Sequence, residues 1–215
     1  MGGLVMIIHP HMIQQSEEWF RARSGRPTAS QFSRILTATG KDSSQWEDFA
    51  IELIGQCVRP DEITFEGNRH TDRGNELEPE ARDLFAETMD LEVSEVGFIT
   101  RDDGVIGCSP DGLVTNPNSS KWIAGLEIKC PLAKNHIKYH IENKVPDAYR
   151  AQVHGSMAVT GLKHWYFMSY CPGMNPFIIR VDRDEYTKQL SDALDRFLIF
   201  YAERRKAVLP TIIES

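Results

Sequence analysis

Two short runs, Ser109-Pro110-Asp111-Gly112 and Leu126-Glu127-Ile128-Lys129-Cys130, constrain this chain more than any other feature. A strand sends residues i and i+2 to the same face, so Glu127 and Lys129 project together while Ile128 points into the core. Sixteen positions separate Asp111 from Glu127. That is enough for one strand to run out, turn at Asn116-Pro117-Asn118-Ser119 and return beside the first. Such a hairpin carries the carboxylate of the Ser-Pro-Asp-Gly turn to the Glu-x-Lys face.

Two anionic oxygen donors, Asp111 and Glu127, suit a hard cation such as Mg²⁺, which keeps some of its waters and takes further ligands from substrate phosphate. The ammonium of Lys129 would then lower the pKa of an attacking water, orient it, or offset charge in the transition state of phosphodiester hydrolysis. Taken singly, each run has a plainer reading. Ser-Pro-Asp-Gly is a good β-turn, and alternating Glu and Lys commonly marks a solvated strand face. Together they read as the site of a metal-dependent nuclease.

The 215 residues, 41% of them hydrophobic and without internal repeats or low-complexity tracts, suffice for one well-buried core and predict a single domain over 1–215. The only apolar run near the start, Leu4 to Ile8, is short and has no basic residue before it, so neither a secretory signal nor a membrane span is expected. The Met-Gly start lacks Ser or Thr at position 6, which argues against myristoylation. A cytoplasmic protein is the expectation. Cys57, Cys108, Cys130 and Cys171 contain no C-x-x-C pair and read as buried thiols in a reducing compartment, with Cys108 and Cys130 walling the site. His136 and His140 have i, i+4 spacing but no intervening Glu, which favours a helix surface touching phosphate over a zinc site.

The net charge of −7 is unusual for a protein of nucleic acid until its distribution is considered. Trp19 to Gly40 holds four arginines and no acid, and Lys129 to Arg150 holds five basic residues against Glu142 and Asp147. The split predicts a basic channel in an acidic body.

Periodicity predicts short helices over Ser16–Arg23 and Thr28–Thr37, the second with Thr28 or Ser30 as N-cap. Two further helices bury Trp46, Phe49, Ala50, Leu53, Ile54 and Cys57, and Leu77, Ala81, Leu84 and Phe85. Strands are expected near Leu91–Thr100, Gly104–Cys108, Leu113–Thr115 and Trp122–Lys129. Helices over Ala133–Glu142 and Asp147–Val159, strands over His164–Tyr170 and Phe177–Val181, and a final helix over Asp184–Lys206 complete an α/β domain with a mixed central β-sheet flanked by helices.

The Pro110-Asp111 and Glu127-x-Lys129 pattern resembles the PD-(D/E)xK nuclease superfamily with its restriction-endonuclease-like core. Longer runs resemble its lambda exonuclease or YqaJ-type phage recombination nucleases. They are Trp19-x-x-x-Arg23-x-Gly25 with Thr28-Ala29-Ser30, Arg73-Gly74-x-x-x-Glu78, Cys108-Ser109-Pro110-Asp111-Gly112-Leu113, Leu126-Glu127-x-Lys129-Cys130-Pro131, Ala148-Tyr149-x-Ala151-Gln152-Val153 and Trp165-Tyr166-Phe167. They occur in order between residues 19 and 170, most of the chain.

The resemblance implies digestion of linear double-stranded DNA from the 5′ end to mononucleotides, leaving a 3′ overhang for a single-strand annealing protein. It implies Asp111, Glu127 and the Ile128 carbonyl as ligands of two Mg²⁺ ions, or of Mn²⁺ in their place. Lys129 would assist the attacking water, Glu78 would support the metals, and Gln152 would lie close to the water or scissile phosphate. Arg23, Ser30 and Ser109 would hold the terminal 5′ phosphate. From their spacing alone, Arg23 would pass as an exposed helix arginine, Ser30 as an N-cap, and Glu78 and Gln152 as helix-surface residues. A homotrimeric ring and a phage or prophage origin in a bacterial host are further implications. Two departures bear on DNA grip: Arg73 stands where the lambda-type pattern has Trp, and the Gly40–Gln45 loop differs. Rival readings on the same scaffold are a structure-specific endonuclease and a non-catalytic DNA-end-binding module.

Overall fold

A computed structural model describes residues 6–60 and 69–213. Met1 to Val5, with the start of the Leu4–Ile8 run, lie outside them. The elements in chain order are β1 (Ile7–His9), α1 (Glu17–Arg23), a 3-10 helix (Ala29–Arg34), α2 (Trp46–Val58), α3 (Arg69–Met89), β2 (Glu92–Ser94), β3 (Phe98–Thr100), β4 (Gly107–Cys108), β5 (Gly112–Thr115) and β6 (Trp122–Lys129). Then come α4 (Ala133–Glu142), α5 (Asp147–Thr160), β7 (His164–Ser169), β8 (Phe177–Asp182) and α6 (Glu185–Ile212).

Among the described residues, β2-β5-β6-β7-β8 form a mixed sheet and β1-β3-β4 a smaller one. The β5–β6 hairpin is antiparallel, with Gly112 opposite Leu126. Asn118, whose side chain tolerates a positive φ, takes one of 63° in the connection. β6 and β7 are parallel, with Glu127 beside Phe167, and the intervening α4 and α5 provide the crossover that parallel strands require.

Alternation along β6 decides what each face of the large sheet does. Ala124, Leu126 and Ile128 pack with Ala81 and Phe85 of α3. On the other face, Val153 and Met157 of α5 pack with Trp165 and Phe167. Outside α5, a third apolar cluster joins Phe32 of the 3-10 helix to Phe49 and Leu53 of α2 and to Leu190, Leu194 and Phe197 of α6. Gly155 permits this layer: a Cβ there would lie 2.2 Å from Cδ2 of Phe32. Gly25 closes α1 with φ +67°, and a Cβ there would lie 2.1 Å from Sγ of Cys57.

Several sequence expectations need correction. The Leu91–Thr100 stretch is two strands in different sheets. Its middle bonds to side chains instead of a ladder: Gln14 Nε2 donates to the Val96 carbonyl and Trp19 Nε1 to that of Gly97. Thr28–Thr37 is a 3-10 helix over Ala29–Arg34 without a side-chain cap, because the Thr28 and Ser30 hydroxyls accept from Arg23. β1 was not expected, and α6 runs on to Ile212. All four cysteines are free, but Cys57 and Cys130 are only half-buried. His136 is a core residue and not a helix surface; its ring bonds to the Ser169 hydroxyl and the Asn175 carbonyl. The two basic stretches are partly paired: Arg21 with Glu17 and Arg34 with Glu52 in the first, and Lys138 and Lys144 with the stretch's own Glu142 and Asp147 in the second.

Candidate active site

The C-terminal end of β6, the turn entering β5, the exposed flank of α3 and the start of α5 enclose a cleft of about 680 Å³. Its floor is acidic. The Asp111 amide donates to the Leu126 carbonyl, and Asp111 Oδ2 accepts from the Ile128 amide at 2.5 Å. The hairpin register thereby fixes one carboxylate oxygen and leaves the other for a ligand. Glu127, 1% exposed, accepts on Oε1 from Lys129 Nζ at 2.5 Å and from Gln152 Nε2 at 2.6 Å. Its Oε2 is buried with no hydrogen-bond partner among the described residues. A buried, unpartnered carboxylate oxygen costs free energy unless a cation or donor satisfies it.

Glu78 reaches the same floor from α3, where Arg82 Nη2 donates to its Oε1 at 2.5 Å. Burial pushes the Glu127 carboxyl up to about 8 against the pull of Lys129. Burial and the Asp111 charge push Glu78 up to about 7. Asp111 is likewise raised by burial, against Lys129 and the Ile128 amide. Burial alone would depress the Lys129 ammonium, but the Glu127 and Asp111 charges hold it above the ordinary lysine range. Lys129 is therefore a fixed cation, with the Tyr149 ring 5.2 Å from its Nζ.

The chemistry of this floor fits a divalent cation. Three carboxyl groups crowd together with raised proton affinity, one oxygen of Glu127 lacks a partner, and hard cations take oxygen ligands. Among the described residues, no three His, Cys, Asp or Glu side chains already stand at metal-ligand spacing. Backbone oxygen, substrate phosphate and water would have to complete the shell.

At the other end of the cleft, Arg23 donates to Ser109 Oγ at 3.0 Å, Thr28 Oγ1 at 3.1 Å and Ser30 Oγ at 3.3 Å. Its guanidinium carbon lies 4.0 Å from the centre of the Trp19 ring. No carboxylate lies within ion-pair distance of Arg23 among the described residues, and burial lowers its pKa to about 10. Ser109 Oγ accepts a second hydrogen bond from Trp19 Nε1 at 2.9 Å. With two donors directed at this oxygen, the Ser109 proton is left to be donated elsewhere. The result is an electropositive, donor-rich pocket beside an acidic floor.

Asp111, Glu127, Lys129, Glu78, Gln152, Arg23, Ser30 and Ser109 therefore meet in one cleft, together with Ile128, whose amide holds Asp111, and with Cys130 in the wall; Cys108, His136 and His140 do not line it. Trp19, Thr28 and Arg82 were not identified as parts of the site. The Trp19 and Thr28 signals lay in motifs shared with Arg23, but Arg82 had none beyond its i+4 spacing from Glu78.

The sequence profile of the YqaJ-like viral recombinase domain matches residues 18–163. An alkaline exonuclease (LHK-Exo) from Laribacter hongkongensis is similar in structure, with TM-score 0.70 and 32% identity over 89% of this chain and 98% of that one. LHK-Exo in complex with dAMP gives 0.71 and 30% over 91% and 100%. A phage related exonuclease from Haemophilus somnus 129PT shares the fold at 0.59 and 16% identity, over 83% of this chain and 96% of that chain. No curated protein matches the chain in sequence.

Proposed function

Because the chain belongs to the family of the YqaJ-like viral recombinase domain, we propose that it is a divalent-metal-dependent 5′-to-3′ exodeoxyribonuclease. Its substrate is linear double-stranded DNA with 5′-phosphorylated ends, and its products are mononucleotides and a 3′ overhang for recombination by strand annealing. The carrying observation is the placement of the Arg23–Ser109–Ser30 cluster and the Asp111–Glu127–Lys129 floor in a single cleft. The dAMP bound to the similar LHK-Exo, a nucleoside 5′-phosphate, is in keeping with that product.

Asp111, Glu127 and the Ile128 carbonyl would hold Mg²⁺, or Mn²⁺ in its place, with Glu78 in support; two ions are the expectation. Bound there, the metal supplies Lewis-acid stabilisation of the charge that develops on the phosphodiester. Arg23 and the free protons of Ser109 and Ser30 bind the terminal phosphate through charge-assisted and hydroxyl hydrogen bonds. That contact sets polarity, since only a strand with its 5′ phosphate seated places its first internal linkage over the carboxylates. Lys129, held protonated by its neighbours, acts as a cation that orients the attacking water and offsets phosphate charge, and does not act as a base. Gln152 holds the Glu127 carboxylate through Oε1, leaving Oε2 as the oxygen that would be available to an ion.

On this reading residues 1–215 are one nuclease domain in the cytoplasm of a bacterial host. An annealing protein and a ring of three subunits are the partners to seek. Among the described residues no helix is long and apolar enough to cross a membrane.

The test incubates the protein with linear duplexes bearing 5′-phosphate or 5′-hydroxyl ends, and with closed circular DNA, in Mg²⁺ or EDTA. Mononucleotides released from phosphorylated ends only, and only with metal, are expected. Nicking of the circle would move the reading to an endonuclease, and end binding without cleavage in any metal would leave a binding module.

A further inference from the structure

Arg82 occupies an electrostatically awkward place. It lies on the α3 flank that also carries Glu78, with its side chain 11% exposed, and it adds positive charge close to a floor built to attract a cation. By Coulomb's law alone it weakens cation binding there. Its hydrogen bonds show what it contributes instead. Nε donates to the Asp111 backbone carbonyl at 2.8 Å and Nη2 to Glu78 Oε1 at 2.5 Å, while Nη1 pairs with the exposed Glu95. One planar fork thus ties together two carboxylate-bearing residues from different elements, the turn entering β5 and the flank of α3.

Among the described residues, the other hydrogen bonds of Asp111 run toward β6, from its amide to Leu126 and from the Ile128 amide to its Oδ2. Glu78 comes from a helix whose apolar stripe, including Ala81 and Phe85, packs on the opposite face of the sheet from Glu127. Nothing else among the described hydrogen bonds joins Glu78 to Asp111. We propose that Arg82 is a positioning residue that sets the spacing of Asp111 and Glu78 for divalent-cation binding. The inference rests on the metal-site reading above. Arg82 acts through these two groups and needs no contact with substrate.

The sign of one measurement decides it. If Arg82 were only a nearby charge, Arg82→Met would tighten cation binding. If it positions the carboxylates, the same change weakens binding, by the 10- to 100-fold typical of partners that orient metal ligands. Calorimetric titration of the metal-free protein with Mg²⁺, without DNA, reads this directly. Thermal denaturation in EDTA reports whether the variant is folded at the titration temperature. Arg82→Lys keeps the charge and offers one ammonium in place of the fork, so it should fall between wild type and Arg82→Met. It also serves should the methionine variant not fold. The matching kinetic signature is a raised Mg²⁺ concentration for half-maximal rate, with much of the turnover recovered at saturating Mg²⁺.

Unchanged or tighter Mg²⁺ binding in a folded Arg82→Met or Arg82→Lys protein would overturn the positioning role while leaving the metal site standing. Failure of the wild-type protein to bind Mg²⁺ or Mn²⁺ at millimolar concentration would overturn both.

Discussion

Replacing Arg23 with alanine tests whether the donor-rich end of the cleft is built for an anion. The guanidinium is buried against Trp19 with three hydroxyl partners and no carboxylate among the described residues. Burial lowers its pKa to about 10, and at ~1.4 kcal/mol per pH unit that shift represents roughly 3 kcal/mol held against the charged form. Three hydrogen bonds of about 1 kcal/mol each nearly offset this, so Arg23 contributes little net stability to the protein alone. Arg23→Ala should therefore change stability by only about 1 kcal/mol. A seated phosphate alters the balance, because hydrogen bonds between charged groups contribute about 1.5–3 kcal/mol. Losing about 2–3 kcal/mol corresponds to a ~30- to 150-fold drop in the preference for 5′-phosphate over 5′-hydroxyl ends. The assay compares initial rates on the two kinds of linear duplex for both proteins, beside urea denaturation of each. A preference that survives in a folded Arg23→Ala protein would refute the pocket. A loss of several kcal/mol in stability would show that Arg23 is a structural bridge instead.

Trp19→Phe keeps an aromatic floor but removes the Nε1 donor to Ser109, so it should reduce the same preference several-fold without abolishing cleavage; an unchanged ratio would show that the Ser109 proton is not directed by Trp19. Lys129→Ala should lower turnover at least ~100-fold, on the scale of removing one transition-state charge contact, while end binding in EDTA persists; equal loss of binding would contradict its role as a catalytic cation. Asp111→Ala or Glu127→Ala should abolish metal-dependent cleavage, and near-wild-type activity in either would remove the metal site as drawn. The pH dependence has a definite sign. Glu127 and Glu78 are raised to about 8 and about 7, so the metal-free folded chain keeps protons that the unfolded chain releases above pH ~4.3. Their contribution to stability is full below that pH and is lost as pH rises toward 8. Mg²⁺ needs the ionised carboxylates, so its stabilising shift in thermal melts should grow over the same range; a shift independent of pH between 6 and 9 would argue that these groups are not the ligands.

What could be read from the chain alone divides along the range of the interactions involved. β6 and α4 occur at the expected limits, Trp122–Lys129 and Ala133–Glu142, because strand alternation and helical periodicity are local signals. The hairpin that brings Asp111 to Glu127 was legible for the same reason, since its turn residues and strand lengths lie within one short segment. The breaks and the anion pocket depend on partners far along the sequence. Gln14 bonds to Val96, 82 positions away, and Trp19 to Gly97, 78 away, and these contacts divide a run of strand-forming residues into two. Arg23 and Ser30 carry no local mark that separates them from a surface arginine and an N-cap. His136 looks like half of a surface pair until Ser169 and Asn175 close over it from β7 and the following loop, while His140 stays exposed. Arg82 is the extreme case, since an i, i+4 Glu–Arg pair on a helix ordinarily reads as weak surface stabilisation. Only the tertiary fold, by bringing the Asp111 carbonyl to its Nε, gives that pair a place in the site. The acidic floor could be found from sequence because one hairpin builds it, whereas the groups that hold it in register come from elements that meet only after folding.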